Sequence, residues 1–290
     1  MRLKQAVVAL AAKILASGHA LRQIWTKGGF VPVRLCAVEA SNRLEGKRVL
    51  VTGGSAGIGY AIAKKCAEEG AVVAITGRSP DRLAAAVTSA LPDQLHSVVW
   101  DVADLSLVSS RLDEITTLLG GEPDILVNNA GILGGHHSVL ELDEARWEQV
   151  MSTNLKGLTF LTAELCRRWL RQDHKAKILN ISSMRGQLGV KDGPYGMSKW
   201  ALDGFTRGLG LEMAPRGIIV NGIAPGVVAT ESITVKNVDV ESNAFFRSAP
   251  LGRLCAPFEV AELAVFMLSG AADYMVGQTI VFDGGYSLKN

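Results

Sequence analysis

Tyr195 and Lys199 lie four residues apart in Tyr-Gly-Met-Ser-Lys, shortly after Ser183 and well downstream of a glycine-rich stretch, Thr52-Gly53-Gly54-Ser55-Ala56-Gly57-Ile58-Gly59. On a helix over residues 194 to 214, a spacing of four stacks the phenol and the ammonium on one face, one turn apart. Two such groups about 5 Å apart at an effective dielectric near ~20 interact by roughly 3 kcal/mol, worth about two pH units in titration. A phenol that ordinarily titrates near ~10 then approaches ~8, where it can give or take a proton during turnover. Many solvated helices carry this pair by chance, so its weight comes from the glycine-rich stretch that accompanies it.

A strand ending at Thr52, a glycine turn and a following helix would aim backbone amides and the positive end of a helix dipole at a phosphate. The spacing Gly53, Gly57, Gly59 is Gly-x-x-x-Gly-x-Gly, which differs from the Gly-x-Gly-x-x-Gly dinucleotide fingerprint. Just past the second strand, where an acid would bond the adenosine ribose hydroxyls, the chain has Thr76-Gly77-Arg78-Ser79 and no acid before Asp81. Arg78 suits a 2′-phosphate through a bidentate, charge-assisted contact, so NADP(H) is favoured over NAD(H). Stacking of the same guanidinium on adenine is the alternative use.

From Arg48 onward, β-branched runs alternate with helical periods, the pattern of a parallel sheet covered by helices on both faces. Strands are expected over 49–52, 71–76, 95–100, 125–127, 176–181, 218–223 and 278–282. Helices are expected over 56–69, 81–90, 106–119, 142–171, 193–214 and 259–268. No break in composition divides residues 46–290, which read as one domain. The irregular segment from Glu231 to Pro257, with Phe245 and Phe246, follows a strand end where α/β sheets bind ligands. It reads either as a substrate lid or as a surface excursion with two core phenylalanines.

The 290 residues are 48% hydrophobic, ample for a large buried core, and the net charge of +2 does not point to nucleic acid as a partner. No stable membrane span is expected. The cysteines Cys36, Cys66, Cys166 and Cys255 are scattered, without metal-ligand spacing, and read as free thiols. His136 and His137 are adjacent but lack a third ligand, so no metal site is expected. In residues 1–45 every charge before Glu39 is positive. Such an apolar, basic arm has the composition of an import presequence for a mitochondrion or another organelle. A surface-packed or disordered extension of a cytoplasmic protein, or attachment to a membrane surface, are the other readings.

These residues, with Asn128-Asn129-Ala130-Gly131, Asn154 and Pro225-Gly226, make the chain from about Gly46 to Gly285 resemble the short-chain dehydrogenase/reductases. The resemblance implies a doubly wound, Rossmann-type α/β fold of about seven parallel strands, usually in a homodimer or homotetramer. It also implies hydride transfer between NAD(P) and a carbonyl or alcohol. By the same resemblance Asp101 and Val102 contact adenine, Asn129 lies by the adenosine ribose, and Lys199 holds the nicotinamide ribose. Pro225, Gly226, Val228 and Thr230 line the nicotinamide. Tyr195 delivers the proton and Asn154 holds a water linking Lys199 to solvent. Ser182 and Ser183 compete for the remaining role; glycine three residues after the active serine, here Gly186, favours Ser183, which would bond the substrate oxygen. Helix 142–171 would supply a dimer contact, although its Leu155, Leu158, Leu161 and Leu165 also fit core packing.

Pro250-Leu251-Gly252-Arg253 and Gly277-Gln278-Thr279 look most like 3-oxoacyl-[acyl-carrier-protein] reductases within the family, and also occur in sugar, steroid and general carbonyl reductases. Of the two basic positions that dock a carrier protein in that subgroup, Arg216 matches one and His174 occupies the other, with Arg171, Lys175 and Lys177 nearby. The substrate is then a small molecule or an acyl thioester. The rival reading is a nucleotide-binding partner or regulatory protein on the same fold that turns nothing over.

Overall fold

Short β-branched strands and amphipathic helices alternate through the computed structural model, which describes residues 41–89, 94–133, 139–189, 193–231 and 249–289. Most of the basic arm, His136 and His137, and the greater part of segment 231–257 with Phe245 and Phe246 lie outside the described residues. Seven parallel strands form one sheet in the order β3-β2-β1-β4-β5-β6-β7. They are β1 (Arg48–Val51), β2 (Val72–Gly77), β3 (Leu95–Val99), β4 (Ile125–Asn128), β5 (Ala176–Ile181), β6 (Ile218–Pro225) and β7 (Thr279–Phe282).

Alternation along each strand decides which face a side chain serves. Val49 and Val51 of β1 pack on one side with helices α1 (Gly57–Glu68), α2 (Pro80–Thr88) and, late in the chain, α7 (Pro257–Leu268). Leu50 packs on the other side with α3 (Val108–Leu119), α5 (Leu158–Arg171) and the end of α6 (Gly193–Met213). A sheet buried on both faces needs apolar residues at nearly every position, which is why its strands read as continuous β-branched runs. The expected α/β, doubly wound architecture is the one observed.

One helix departs from expectation. The apolar period over 142–171 is divided into α4 (Glu144–Met151) and α5, joined by a wide π-type turn at Ser152–Gly157. Gly157 explains where the turn sits: a side chain there would bring its Cβ to 2.3 Å from the Val102 carbonyl oxygen. The wider turn carries Asn154, which is fully buried. Such insertions into helices recur at functional sites.

Beneath the carboxyl ends of β4 and β5, Asn128 Nδ2 donates to Thr162 Oγ1 and to Asn180 Oδ1, each at 2.9 Å. Asn180 Nδ2 donates in turn to Thr206 Oγ1 at 2.9 Å. This buried polar chain ties α5, β4, β5 and α6 together directly below the edge where the sheet order reverses, and so fixes the platform of the site.

Candidate active site

β1 is hydrogen-bonded to both β2 and β4, so successive crossovers leave in opposite directions and open a crevice above their carboxyl ends. The glycine turn fills its floor. Gly53 and Gly57 both have positive φ, +64° and +58°, a conformation that favours glycine. Gly59 has no room for a side chain, because a Cβ would lie 2.3 Å from Asn129 Nδ2 and 2.4 Å from the Gly53 carbonyl oxygen. Asn129 braces the turn by donating to the Thr52 and Gly53 carbonyls at 2.9 and 3.0 Å. The Thr52 hydroxyl accepts from the backbone amides of Asn129 and Ala130. The first turn of α1 has neither an acid nor a side-chain cap, so its amides and dipole meet the crevice unneutralised.

Two adjoining cavities, of about 340 and 390 Å³, share Gly53, Ala56, Ala130 and Gly131 as walls. The first runs past Gly57, Ile58, Gly59 and Asn129 to Thr230, Tyr195 and Lys199. The second is lined by Ser55, Arg78, Asp101 and Val102. Together they have the lining that a dinucleotide needs, with glycines and a helix terminus for the pyrophosphate and Arg78 in the second cavity. Gly226 borders a third cavity of about 70 Å³, while Pro225 and Val228 are buried beside it.

Tyr195 and Lys199 stand on one face of α6, as their spacing requires, with Lys199 Nζ 5.8 Å from the centre of the Tyr195 ring. Lys199 is 4% exposed and donates to the Ile181 carbonyl at 2.8 Å. Burial pushes its ammonium down to about 8, against an opposing pull from Asp203. The shift follows from packing of the helix face that holds the pair onto the sheet, where the ammonium is cut off from water. Arg185 also approaches the Tyr195 ring, 5.9 Å from its centre.

Asn154 is bound on both sides of its amide. Its Oδ1 accepts from Ile132 N at 2.8 Å, and its Nδ2 donates to the Ile132 carbonyl at 2.9 Å and to Ser198 Oγ at 3.2 Å. Ser198 Oγ donates to the Tyr195 carbonyl at 2.7 Å, which links the π-type turn to α6. A Cβ at Gly131 would lie 3.5 Å from Asn154 Oδ1 and 3.7 Å from Lys199 Nζ, so these two polar groups converge on one glycine.

The two serines differ in what their hydroxyls are free to do. Ser182 lines the first cavity, but its Oγ donates to the Lys199 carbonyl at 3.5 Å. Ser183 is not among the residues lining these cavities; its Oγ accepts from Arg185 N at 3.2 Å, a bond that leaves its proton to donate. Arg82, which the sequence reading passed over, borders both large cavities and pairs with Glu231 at 3.3 Å. Its spacing of four from Arg78 was the available signal. Arg78 itself lies 4.0 Å from Asp101, which places both expected adenosine-side residues at one spot.

The family model described as Enoyl-(Acyl carrier protein) reductase matches residues 53–287. The chain is 36% identical over 247 residues to 3-oxoacyl-[acyl-carrier-protein] reductase FabG of Aquifex aeolicus, covering 84% of this chain and 98% of that protein. A solved short chain dehydrogenase/reductase family protein superposes with a TM-score of 0.76 at 34% identity, over 84% of this chain and 99% of the other. The chain belongs to the short-chain dehydrogenase/reductase family. This short-chain dehydrogenase/reductase is also 36% identical over 246 residues to 2-dehydro-3-deoxy-D-gluconate 5-dehydrogenase of Dickeya dadantii, covering 84% of the chain and 96% of the relative. As a member of the family it is an NAD(P)-dependent oxidoreductase acting between carbonyl and alcohol. No helix among the described residues is long and apolar enough to cross a membrane.

Proposed function

We propose that this short-chain dehydrogenase/reductase reduces a ketone with NADP(H), using Asn154, Ser183, Tyr195 and Lys199, and that the ketone is a 3-oxoacyl thioester. The observation that carries the reading is Tyr195 and Lys199 on the wall of the cavity floored by the glycine turn. The bound dinucleotide would supply the hydride. Tyr195 gives its phenolic proton to the substrate oxygen, and Ser183 donates a hydrogen bond to the same oxygen as charge develops there. The Lys199 ammonium, 5.8 Å from the centre of the ring, lowers the cost of a phenolate beside it, and Asn154 holds the Ile132 backbone, in the loop after β4, against this pair. Arg78 gives a 2′-phosphate a cation that a chain with an acid at this place would lack.

The thioester reading takes support from the 3-oxoacyl reductases among its relatives and from two exposed cations, Arg216 and Lys175. Lys175 lies against Gly217, where an added Cβ would touch its Cδ, and so stands beside Arg216 in place of His174. His174 is turned to Asp124 at 3.0 Å. These cations sit at the amino ends of β5 and β6, the opposite end of the strands from the crevice. A carrier protein docked on them therefore serves the crevice of a second copy, which joins this reading to a homodimer or homotetramer. Residues 1–45 act in this picture as an import arm, tested by whether their removal changes distribution in the cell.

The test is a screen of acetoacetyl thioesters, quinones, steroids and sugars with both dinucleotides. Thioester-dependent loss of NADPH absorbance is expected, cut about a thousandfold by Tyr195→Phe. Arg78→Ala should lower the preference for NADPH over NADH by about tenfold or more. Binding of NADPH without turnover of any carbonyl would replace this proposal by the regulatory-protein reading.

A further inference from the structure

The stripe of α6 that carries the active pair continues. Tyr195, Lys199, Asp203 and Arg207 recur at intervals of four, so phenol, cation, anion and cation follow one another along one face. Asp203 is 3% exposed and takes no part in the chemistry described above. Gln187 Nε2 donates to its Oδ2, while its Oδ1 has no hydrogen-bond partner among the described residues. The turn that bears these residues approaches closely enough that only glycine fits at 186: a Cβ there would lie 2.9 Å from Asp203 Oδ2 and 2.8 Å from the Lys199 carbonyl carbon.

We propose that Asp203 is a positioning residue for the reaction: one turn behind Lys199 on the same helix face, its carboxylate sets an anion behind the proton-handling pair and ties the turn bearing Ser182 and Ser183 to the same helix. The inference rests on Tyr195 and Lys199 being the proton-handling pair. The groups around the ladder come from several elements. Lys199 meets the Ile181 carbonyl from β5, the Tyr195 ring, and the Asn154 amide across Gly131. Asp203 Oδ2 accepts from Gln187 of the turn, while its Oδ1 and the Thr279 hydroxyl of β7 are buried without a hydrogen-bond partner among the described residues, and the Ser182 hydroxyl and the Arg207 cation also act on its charge. Burial pushes the Asp203 carboxyl up and the Lys199 ammonium down; Asp203 favours the charge on Lys199, and Arg207 favours the charge on Asp203. A buried acid under such opposition does little for stability, since an isosteric amide would keep its shape without the desolvated charge.

The experiment uses the full chain with NADPH and an acetoacetyl thioester, recording kcat against pH, NADPH affinity against pH by protein fluorescence, and Tm. Asp203→Asn is expected to move the alkaline limb of both profiles downward by about one pH unit, costing about fivefold in kcat at pH 8, with Tm little changed. Asp203→Glu should restore the limb. Arg207 is exposed, and Arg207→Gln keeps the proposal testable should the Asn variant not fold. Losing that cation should raise the acid limb, where Asp203 takes up its proton. An unmoved limb in Asp203→Asn or Arg207→Gln, with turnover still abolished by Tyr195→Phe, overturns the role of Asp203 alone. Turnover that survives Tyr195→Phe removes the proton-handling pair, and the proposal with it.

Discussion

At the amino ends of the strands Glu69 is fully buried, yet it lies 2.5 Å from Arg43 and 3.3 Å from Lys65, and both cations also reach Glu262. At the carboxyl ends Lys199 is almost as buried, but its hydrogen bond goes to a neutral carbonyl and the nearby anion is one that burial itself disfavours. The bond to Arg43, with backbone amides of Arg43 and Ser41, holds the Glu69 carboxyl down at about 2. Burial moves Lys199 the other way, toward its neutral form. One end of the sheet neutralises its buried charges in a closed cluster, and the other holds the charge on which the proposed chemistry depends. Stability and chemistry are thus divided between opposite edges of the same strands.

Lys199→Met breaks the comparison most sharply. It should lower turnover by about a thousandfold or more while leaving the fold intact. Removing a desolvated ammonium should also raise the unfolding free energy by about 1 kcal/mol, after allowing for the orphaned Ile181 carbonyl. The sign of the pH dependence checks the cause. A lysine titrating at about 8 when folded and higher when unfolded binds fewer protons in the folded chain between those values. Its penalty is present below pH 8 and is relieved as pH rises above it. Chemical denaturation of wild type and Lys199→Met from pH 7 to 10 should therefore converge with rising pH.

Glu69→Gln is the matching change at the other end, with a smaller effect of opposite kind. It leaves Glu262 as the carboxylate that Arg43 and Lys65 share, and should cost on the order of 3 kcal/mol in stability with NADPH affinity unchanged. A carboxyl held at about 2 contributes fully above its unfolded value and loses that contribution as pH falls toward 2. Acid unfolding of the wild type should consequently be steeper than that of Glu69→Gln. A loss of NADPH binding in this variant would show that the two ends are not independent.

Much of this division was legible beforehand. Continuous β-branched runs such as Val49-Leu50-Val51 specified strands buried on both faces, and the glycine turn and the Tyr195–Lys199 spacing located the crevice. The interrupted helix was not legible, because Leu155, Leu158, Leu161 and Leu165 keep an apolar period across the π-type turn and hide the extra residue. Asp203 escaped for a related reason: an aspartate inside a helix ordinarily faces water, whereas here the turn with Gly186 and Gln187 closes over it. The preference for Ser183 over Ser182 rests on the spacing to Gly186; in the structure Ser182 lines the first cavity while the Ser183 hydroxyl accepts from Arg185 N.

The smallest predicted effect isolates what burial contributes. Lys64-Lys65-Cys66-Ala67-Glu68-Glu69 encodes two successive lysine–glutamate pairs, both at a spacing of four on α1 and its end. Read as sequence they are equivalent. Lys64 and Glu68 stand 4.0 Å apart with side chains 50% and 41% exposed, so water and salt screen them and Lys64→Ala should change stability by less than about 0.5 kcal/mol. Lys65 and Glu69 stand 3.3 Å apart at 9% and 0% exposure, and Lys65→Ala removes a cation from a carboxylate that water cannot reach. That change should cost about 2 kcal/mol, less than Glu69→Gln because Arg43 remains to neutralise Glu69. Raising the salt concentration should abolish whatever the outer pair contributes and leave the inner pair nearly untouched. Equal losses in the two alanine variants would mean that helix propensity, common to both, outweighs the buried cluster on which the contrast between the two ends depends.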